Sequence, residues 1–279
     1  MKELIVDTMT DSEKYGLLFE LIGGFPKSYF DFPSSLFSYC RSIKGSKISI
    51  IKLDDGIIVG RERPSSYSIA YFDCSISNLF KFINYKKDIK KISSIDFTYL
   101  DLPMDKFCKY DKNYFAFSGY SFINNNDLSS KGLYNLKREY RIGNDRYTLD
   151  FNPNKQEMIN VFNIWKEGAA LRHFMVFKGH YLKYIEDYFN GIFNNVHIIG
   201  FRKDGELFGF SGYEIFDNMA QITLMKHKFE DNSYPSFAWI KTLETILSKD
   251  VDVVFCSSTA NKLKSRIGLT CYNSYKLKI

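Results

Sequence analysis

Two stretches of this chain echo each other. The run from Ser49 to Gly60 and the run from Ile198 to Gly209 each set two apolar β segments around an Asp-Gly pair. The pairs are Asp55-Gly56 and Asp204-Gly205, and each is followed four residues later by another glycine. Asp-Gly between apolar runs is a strong hairpin signal, because glycine takes the positive φ that tight turns require. The two hairpins lie roughly half the chain apart, which is about one domain's length. The chain therefore reads as two similar halves.

The pattern around the hairpins extends the likeness. In the first half, apolar periodicity predicts helices at 11–21 (N-capped by Thr10) and 34–43. Strands follow near 47–53, 57–62 and 68–73, then a helix at 76–85 and β segments at 95–100 and 114–122. The second half repeats this order, with helices at 155–168 and 180–189 and strands at 196–203, 206–216 and 219–228. A helix at 236–247, a strand at 251–256, a helix at 259–266 and a β segment at 271–278 complete it. The polar run from Asn124 to Gly132 is the linker candidate, dividing the chain into domains 1–132 and 133–279. The expected fold class is α/β in the α+β sense: two domains, each a mixed, mostly antiparallel sheet flanked by helices.

Composition narrows the setting. No window holds the 18 or so apolar residues of a membrane span, and Glu3 and Asp7 come too early for a signal peptide. The cysteines (Cys40, Cys74, Cys108, Cys256, Cys271) are odd in number and scattered, without CxxC or Cys/His clustering. Reduced thiols in a cytoplasm and no metal site are expected. The net charge of +6 fits either a soluble surface or a local basic patch for phosphate.

The order αα-βββ-αβαβ, twice over, resembles tandem GNAT acyltransferases. The nearer likeness is to Fem-type aminoacyltransferases and the C-terminal catalytic domain of phosphatidylglycerol lysyltransferases. It is carried by the basic run 136–141, the hairpin Gly205 to Phe210, the strand 222–226 ending in Lys226, Tyr234-Pro235 opening a helix, and Asn261 to Leu269. The resemblance implies an aminoacyl-tRNA or acyl-CoA donor. It departs from the CoA-binding pattern after Lys226, where 229–236 contains no glycine, includes Glu230 and Asp231, and loses an amide donor at Pro235. Ordinary CoA binding is disfavoured there, whereas a tRNA donor needs a basic face instead.

Acyl transfer needs proton handling, oxyanion stabilisation and a protonated leaving group. All four histidines and both tryptophans lie in the second half, so the site is expected there. The catalytic candidates are Glu214 as base, Lys226 for charge stabilisation, His227 for proton handling, and Tyr272 near the leaving group. Lys137, Arg138 and Arg141, spaced to share a helix face, are candidates for donor phosphates, with Arg146 beyond them. Ser257, Ser258, Asn261 and Lys264 could extend that donor surface. Trp165, Arg172, His173 and Tyr234 are candidates for the acceptor pocket. Each also has a plainer reading: a strand end reaching into water, an outward polar residue, a helix cap or a solvated face. The expected function is transfer of an aminoacyl or other acyl group to an amine or hydroxyl. The alternatives are a nucleic-acid-modifying acyltransferase, with tRNA or DNA held by the basic patch, and a non-catalytic binding module on the same scaffold.

Overall fold

The structure is a computed structural model that describes residues 2–4, 6, 8–22, 33–88, 90, 94–100, 108–118, 130–173, 179–216, 219–251, 253–256, 267 and 270–278. In chain order the elements are β1 (Lys2–Leu4), α1 (Asp11–Leu21), α2 (Pro33–Arg41), β2 (Lys47–Leu53), β3 (Gly56–Arg63), β4 (Ser66–Asp73), α3 (Ile76–Asp88), β5 (Ser94–Leu100), β6 (Cys108–Ser118) and α4 (Ser130–Arg146). There follow β7 (Thr148–Asp150), α5 (Lys155–His173), α6 (Gly179–Phe189), β8 (Val196–Lys203), β9 (Glu206–Phe216), β10 (Met219–His227), α7 (Tyr234–Leu247), β11 (Val253–Cys256) and β12 (Thr270–Lys278). The expected helix at 259–266 lies outside the described residues. The strands β1 and β7, three residues each, escape a periodicity reading because they are too short to show alternation. No described helix is long and apolar enough to cross a membrane.

The chain divides into two compact units, each assembled from both halves of the sequence. Unit 1 comprises Met1–Lys112, Phe177–Asn194 and Asn273–Ile279; unit 2 comprises Asn113–Val176 and Asn195–Tyr272. The expected boundary at 132/133 falls inside α4, within unit 2.

In unit 1 the strands run β1-β2-β3-β4-β5, and residues 274–278 of β12 pair antiparallel with β5. All these pairings are antiparallel except β4 with β5. The α1 start is a capping box: the Thr10 hydroxyl accepts from the Glu13 N–H, and Glu13 accepts from the Thr10 N–H. One sheet face buries Ile51, Ile58, Tyr67, Ile69 and Phe72 against Leu79, Phe82 and Ile83 of α3. Against α2 lies α6, tied by the buried Asp187 carboxylate. It accepts from Ser38 at 3.1 Å and pairs with Arg41 at 3.1 Å and Lys183 at 3.0 Å.

The first hairpin differs from the expected turn. Its loop is Asp54-Asp55, with Gly56 already paired to Leu53, and neither aspartate has positive φ. The second loop is Asp204-Gly205, both at positive φ (52° and 83°), the primed geometry that suits strand twist. Adjacent aspartates can close a type I turn with glycine after it, so the Asp-Gly echo is shifted by one residue.

In unit 2 the strands run β6-β11-β10-β9-β8-β7. The β10–β11 pairing is parallel and covers Met219–Ile222 against Val253–Cys256, while β10 continues to His227. A bulge between Ile222 and Leu224 bends β10 where that pairing ends. One face packs on α4 and α7 through Leu136, Phe201, Phe208, Tyr213, Ile222 and Phe237. The other face packs on α5.

Candidate functional site

The site expected in the second half centres on the last residues of β10, beyond its described pairing with β11. Lys226 is 6% exposed, and its Nζ sits 3.6 Å from the centroid of the Trp165 ring on α5. Two physical effects oppose each other there. The ring face favours the ammonium, while loss of water disfavours it, and burial pushes the Lys226 pKa down to about 7. Lys226 can therefore change charge near neutral pH. It pairs across the ladder with Phe210 of β9.

His227 does not join Lys226. Successive strand side chains point to opposite faces, and the His227 ring lies 4.8 Å from the Tyr234 ring and 5.5 Å from that of Phe229. It belongs to the α7 side, so the two residues do not work on one group from the same face. Tyr234 opens α7 and is fully buried against Tyr147, Phe201 and Phe208 as well as His227. Its hydroxyl has no hydrogen-bond partner among the described residues.

Glu214 is also buried, and its Oε1 accepts from Asn195 Nδ2 at 2.7 Å. It pairs with Gln221, at the opposite end of β10 from Lys226. It lies four positions along β9 from Phe210, a span of about 13 Å. The structure thus brings Trp165 to Lys226 and Tyr234 to His227, but leaves Glu214 apart from both.

The turn before α7 contains the feature that sequence reading undervalued. Asp231 Oδ1 accepts from the Ser233 N–H at 2.8 Å and from its hydroxyl at 2.6 Å. Asp231 Oδ2 accepts from Arg146 at 2.9 Å and from Tyr147 at 3.0 Å. Burial works against the charged carboxylate, but these bonds hold its pKa well below the usual carboxylate range. Asp231 therefore keeps its charge and stands at the entrance to α7, where a helix offers its N–H groups to an anion. Asp two residues before Ser is an Asx-turn signal readable in the sequence; its arginine partner, 85 positions away, is not. Arg146 is thereby engaged by Asp231 rather than standing with the other basic candidates.

Lys137, Arg138 and Arg141 are exposed on α4, whose opposite face buries Leu136 and packs Tyr140 on Phe237. Tyr134, 66% exposed, precedes Lys137 and Arg138 by three and four residues and so shares their face. Arg172 and His173 end α5 and Tyr272 lies on β12, where only the backbone course is described. Ser257, Ser258, Asn261 and Lys264 lie outside the described residues. Cys256 and Cys40 are buried thiols; burial pushes Cys40 up to about 12, which suits a packing role. No metal-binding cluster occurs among the described residues.

No protein-family model and no curated protein matches this chain by sequence. Solved structures do share its fold. The C-terminal domain of a putative lysylphosphatidylglycerol synthetase from Agrobacterium fabrum superposes with a TM-score of 0.61 at 10% identity, over 96% of this chain and 92% of that one. FemX superposes at 0.61 with 8% identity, over 99% and 97% of the two chains. A tandem GNAT protein from the clavulanic acid biosynthesis pathway superposes at 0.52 with 10% identity, over 99% and 97%. The chain has the tandem GNAT fold.

Proposed function

We propose that this protein is an acyltransferase of the GNAT superfamily that works from unit 2. It moves an aminoacyl or other acyl group from an activated donor, such as an aminoacyl-tRNA, to an amine or hydroxyl acceptor. The observation that carries this reading is Lys226, a nearly buried cation over Trp165 at the end of β10. Its place on the fold supports a role at the reacting carbonyl.

The acceptor nitrogen or oxygen attacks the carbonyl carbon of the donor ester. The carbonyl oxygen takes the negative charge, and the Lys226 ammonium stabilises it in a water-poor setting, where such help is strongest. As the carbonyl re-forms, the ester C–O bond breaks. The proton lost by the acceptor ends on the leaving oxygen, so no proton is gained or lost overall.

Asp231 supports a donor other than a CoA thioester. A pyrophosphate entering at α7 would meet a fixed carboxylate where it needs N–H donors. An RNA ester does not need that cradle. The exposed Lys137, Arg138 and Arg141 supply cations suited to its phosphates.

The test uses hydroxylamine as a surrogate acceptor, with charged tRNA and acetyl-CoA as separate donors. The expected result is hydroxamate formed from charged tRNA faster than in protein-free controls, with a loss of about a hundredfold in Lys226→Ala. Turnover of acetyl-CoA alone would overturn the donor reading. Turnover of neither would overturn the transferase.

A further inference from the structure

Unit 1 holds two arginines whose charge the fold does not balance. Arg61 and Arg63 stand two positions apart on β3, so alternation puts them on one sheet face, about 7 Å apart along the strand. Glu62, between them, points the other way and pairs with Lys86 of α3. The arginine face is the one that meets α2. Arg61 is only 8% exposed. Its Nη1 donates to the Tyr39 carbonyl at 3.3 Å and to the Ser42 hydroxyl at 3.0 Å, and its Nη2 donates to the Tyr39 hydroxyl at 3.4 Å. Its Cζ lies 4.4 Å from the centroid of the Tyr39 ring.

These partners orient the guanidinium without neutralising it. The Tyr39 carbonyl lies near the C-terminal end of α2, and a helix end carries only about half a negative charge. The neighbouring Cys40 thiol is pushed up by burial to about 12 and stays neutral. The buried Asp187 beside α2 is already taken by Arg41 and Lys183. Neither Arg61 nor Arg63 has a carboxylate partner among the described residues, and arginine does not shed its charge.

A second observation points to the same place. The Nε of Arg61 and the Nε of Arg63 are both buried, and neither donates a hydrogen bond. Folded proteins leave few such donors, and an ion that completes the site is one of the usual reasons. Water would satisfy the N–H groups but leave the charge unbalanced. Arg63 is half-buried and makes no hydrogen bond or ion pair among the described residues, so it can be reached from solvent and its guanidinium can turn. Ser66, its half-buried cross-strand partner, adds a hydroxyl on the same face.

Two guanidiniums call for a dianion, and N–H groups arriving from two side chains suit several oxygens better than the two of a carboxylate. We propose that Arg61 and Arg63 form an anion site in unit 1 that takes a phosphate dianion, free or as the monoester of a small molecule. The proposal stands independently of the transferase reading, because it uses no residue of unit 2.

The test is calorimetry and thermal shift on the full chain at about pH 8, where phosphate is a dianion. The probes are inorganic phosphate and glycerol 3-phosphate, with acetate and sodium chloride at equal ionic strength as controls. Both phosphates are expected to bind at least about tenfold more tightly than acetate. Tighter binding of glycerol 3-phosphate would mark the monoester as the source, and tighter binding of inorganic phosphate the free ion. Arg61→Gln strips the Tyr39 carbonyl of its donor and puts the fold at risk, so the informative variant is Arg63→Gln. It is expected to weaken phosphate binding at least about tenfold with little change in melting temperature. Arg63→Lys keeps the charge and should recover part of that loss. No binding at about 10 mM, equal binding of acetate, or the same phosphate affinity in Arg63→Gln as in the parent would each overturn the proposal.

Discussion

The Tyr234 hydroxyl occupies the space that a Cβ on Gly209 would need. Gly209 is the second glycine of the second hairpin, and its backbone lies open on the face that α7 covers. The first hairpin does the same with different parts: a Cβ on Gly60 would overlap the Tyr67 ring, which comes from β4 rather than from the helix. Each copy gives up a side chain on β3 or β9 so that a buried tyrosine can lie against the strand. The tyrosines differ in one respect. The Tyr67 hydroxyl donates to the Ser49 carbonyl at 3.5 Å, whereas that of Tyr234 has no partner among the described residues.

Gly209→Ala should therefore destabilise the protein by about 1–3 kcal/mol, the usual cost of overpacking a filled core. Tyr234→Phe should be neutral or slightly stabilising, because it removes a buried hydroxyl that makes no bond. It should also recover part of the Gly209→Ala loss. Urea unfolding of the two single variants and the double variant measures this. A neutral Gly209→Ala, or additive losses in the double variant, would show that the two groups do not compete for the same space.

The two halves were legible because hairpins, amphipathic helices and their order are local properties. Thr10 reads as an N-cap, Tyr234-Pro235 reads as a helix start, and both occur where expected. What could not be read was long-range. Asp187 lies in the second half of the sequence yet is held by Ser38 and Arg41 from the first, about 150 positions away. No periodicity carries such a pairing. The same limit applied to the site: Lys226 and His227 are neighbours in sequence, but strand alternation turns them to opposite faces, and the contact of Lys226 with Trp165 of α5 is not readable from spacing.

Lys226 should leave a pH signature. Burial lowers its folded pKa to about 7 from an ordinary value of 10.5. Between these limits the unfolded chain binds more protons, so this residue makes stability rise with pH. Lys226→Met removes the effect. The variant should be relatively most stable near neutral pH and below, and its advantage should shrink toward pH 10. Melting curves at pH 7, 8.5 and 10 check the slope. Trp165 fluorescence should titrate near pH 7 in the parent and stay flat in the variant; a parent without that transition would show that the lysine does not discharge there.

Asp231 has the opposite sign. Its folded pKa is depressed, so its contribution is present above the unfolded carboxylate value of about 3.9 and is lost as pH falls through the folded value. Asp231→Asn should cost about 1–3 kcal/mol at pH 7 through loss of the charged acceptor for Arg146, Tyr147 and Ser233. That cost should fade below about pH 4. With the carboxylate removed in Asp231→Ser, the α7 entrance should also gain affinity for pyrophosphate, which the parent lacks. Calorimetry with pyrophosphate tests this directly, and tight binding by the parent would contradict the blocked entrance.

The basic face of α4 should contribute to binding rather than to folding. Lys137, Arg138 and Arg141 are exposed and make no ion pair among the described residues, so replacing all three with glutamine should change stability by no more than about 0.5 kcal/mol per site. Binding of single-stranded RNA, followed by fluorescence anisotropy, should weaken strongly in the variant. Each phosphate that the variant no longer neutralises should flatten the dependence of log affinity on log salt by about 0.7, so three such phosphates should flatten it by roughly 2. Tyr134 lies on the same face and offers a ring on which a base can stack. Tyr134→Leu should therefore weaken binding by about 1 kcal/mol or more without changing the salt slope. An unchanged slope in the triple variant would place any RNA binding elsewhere on the protein, and equal capture of vesicles rich in anionic lipid would show that the face reads negative charge without reading RNA.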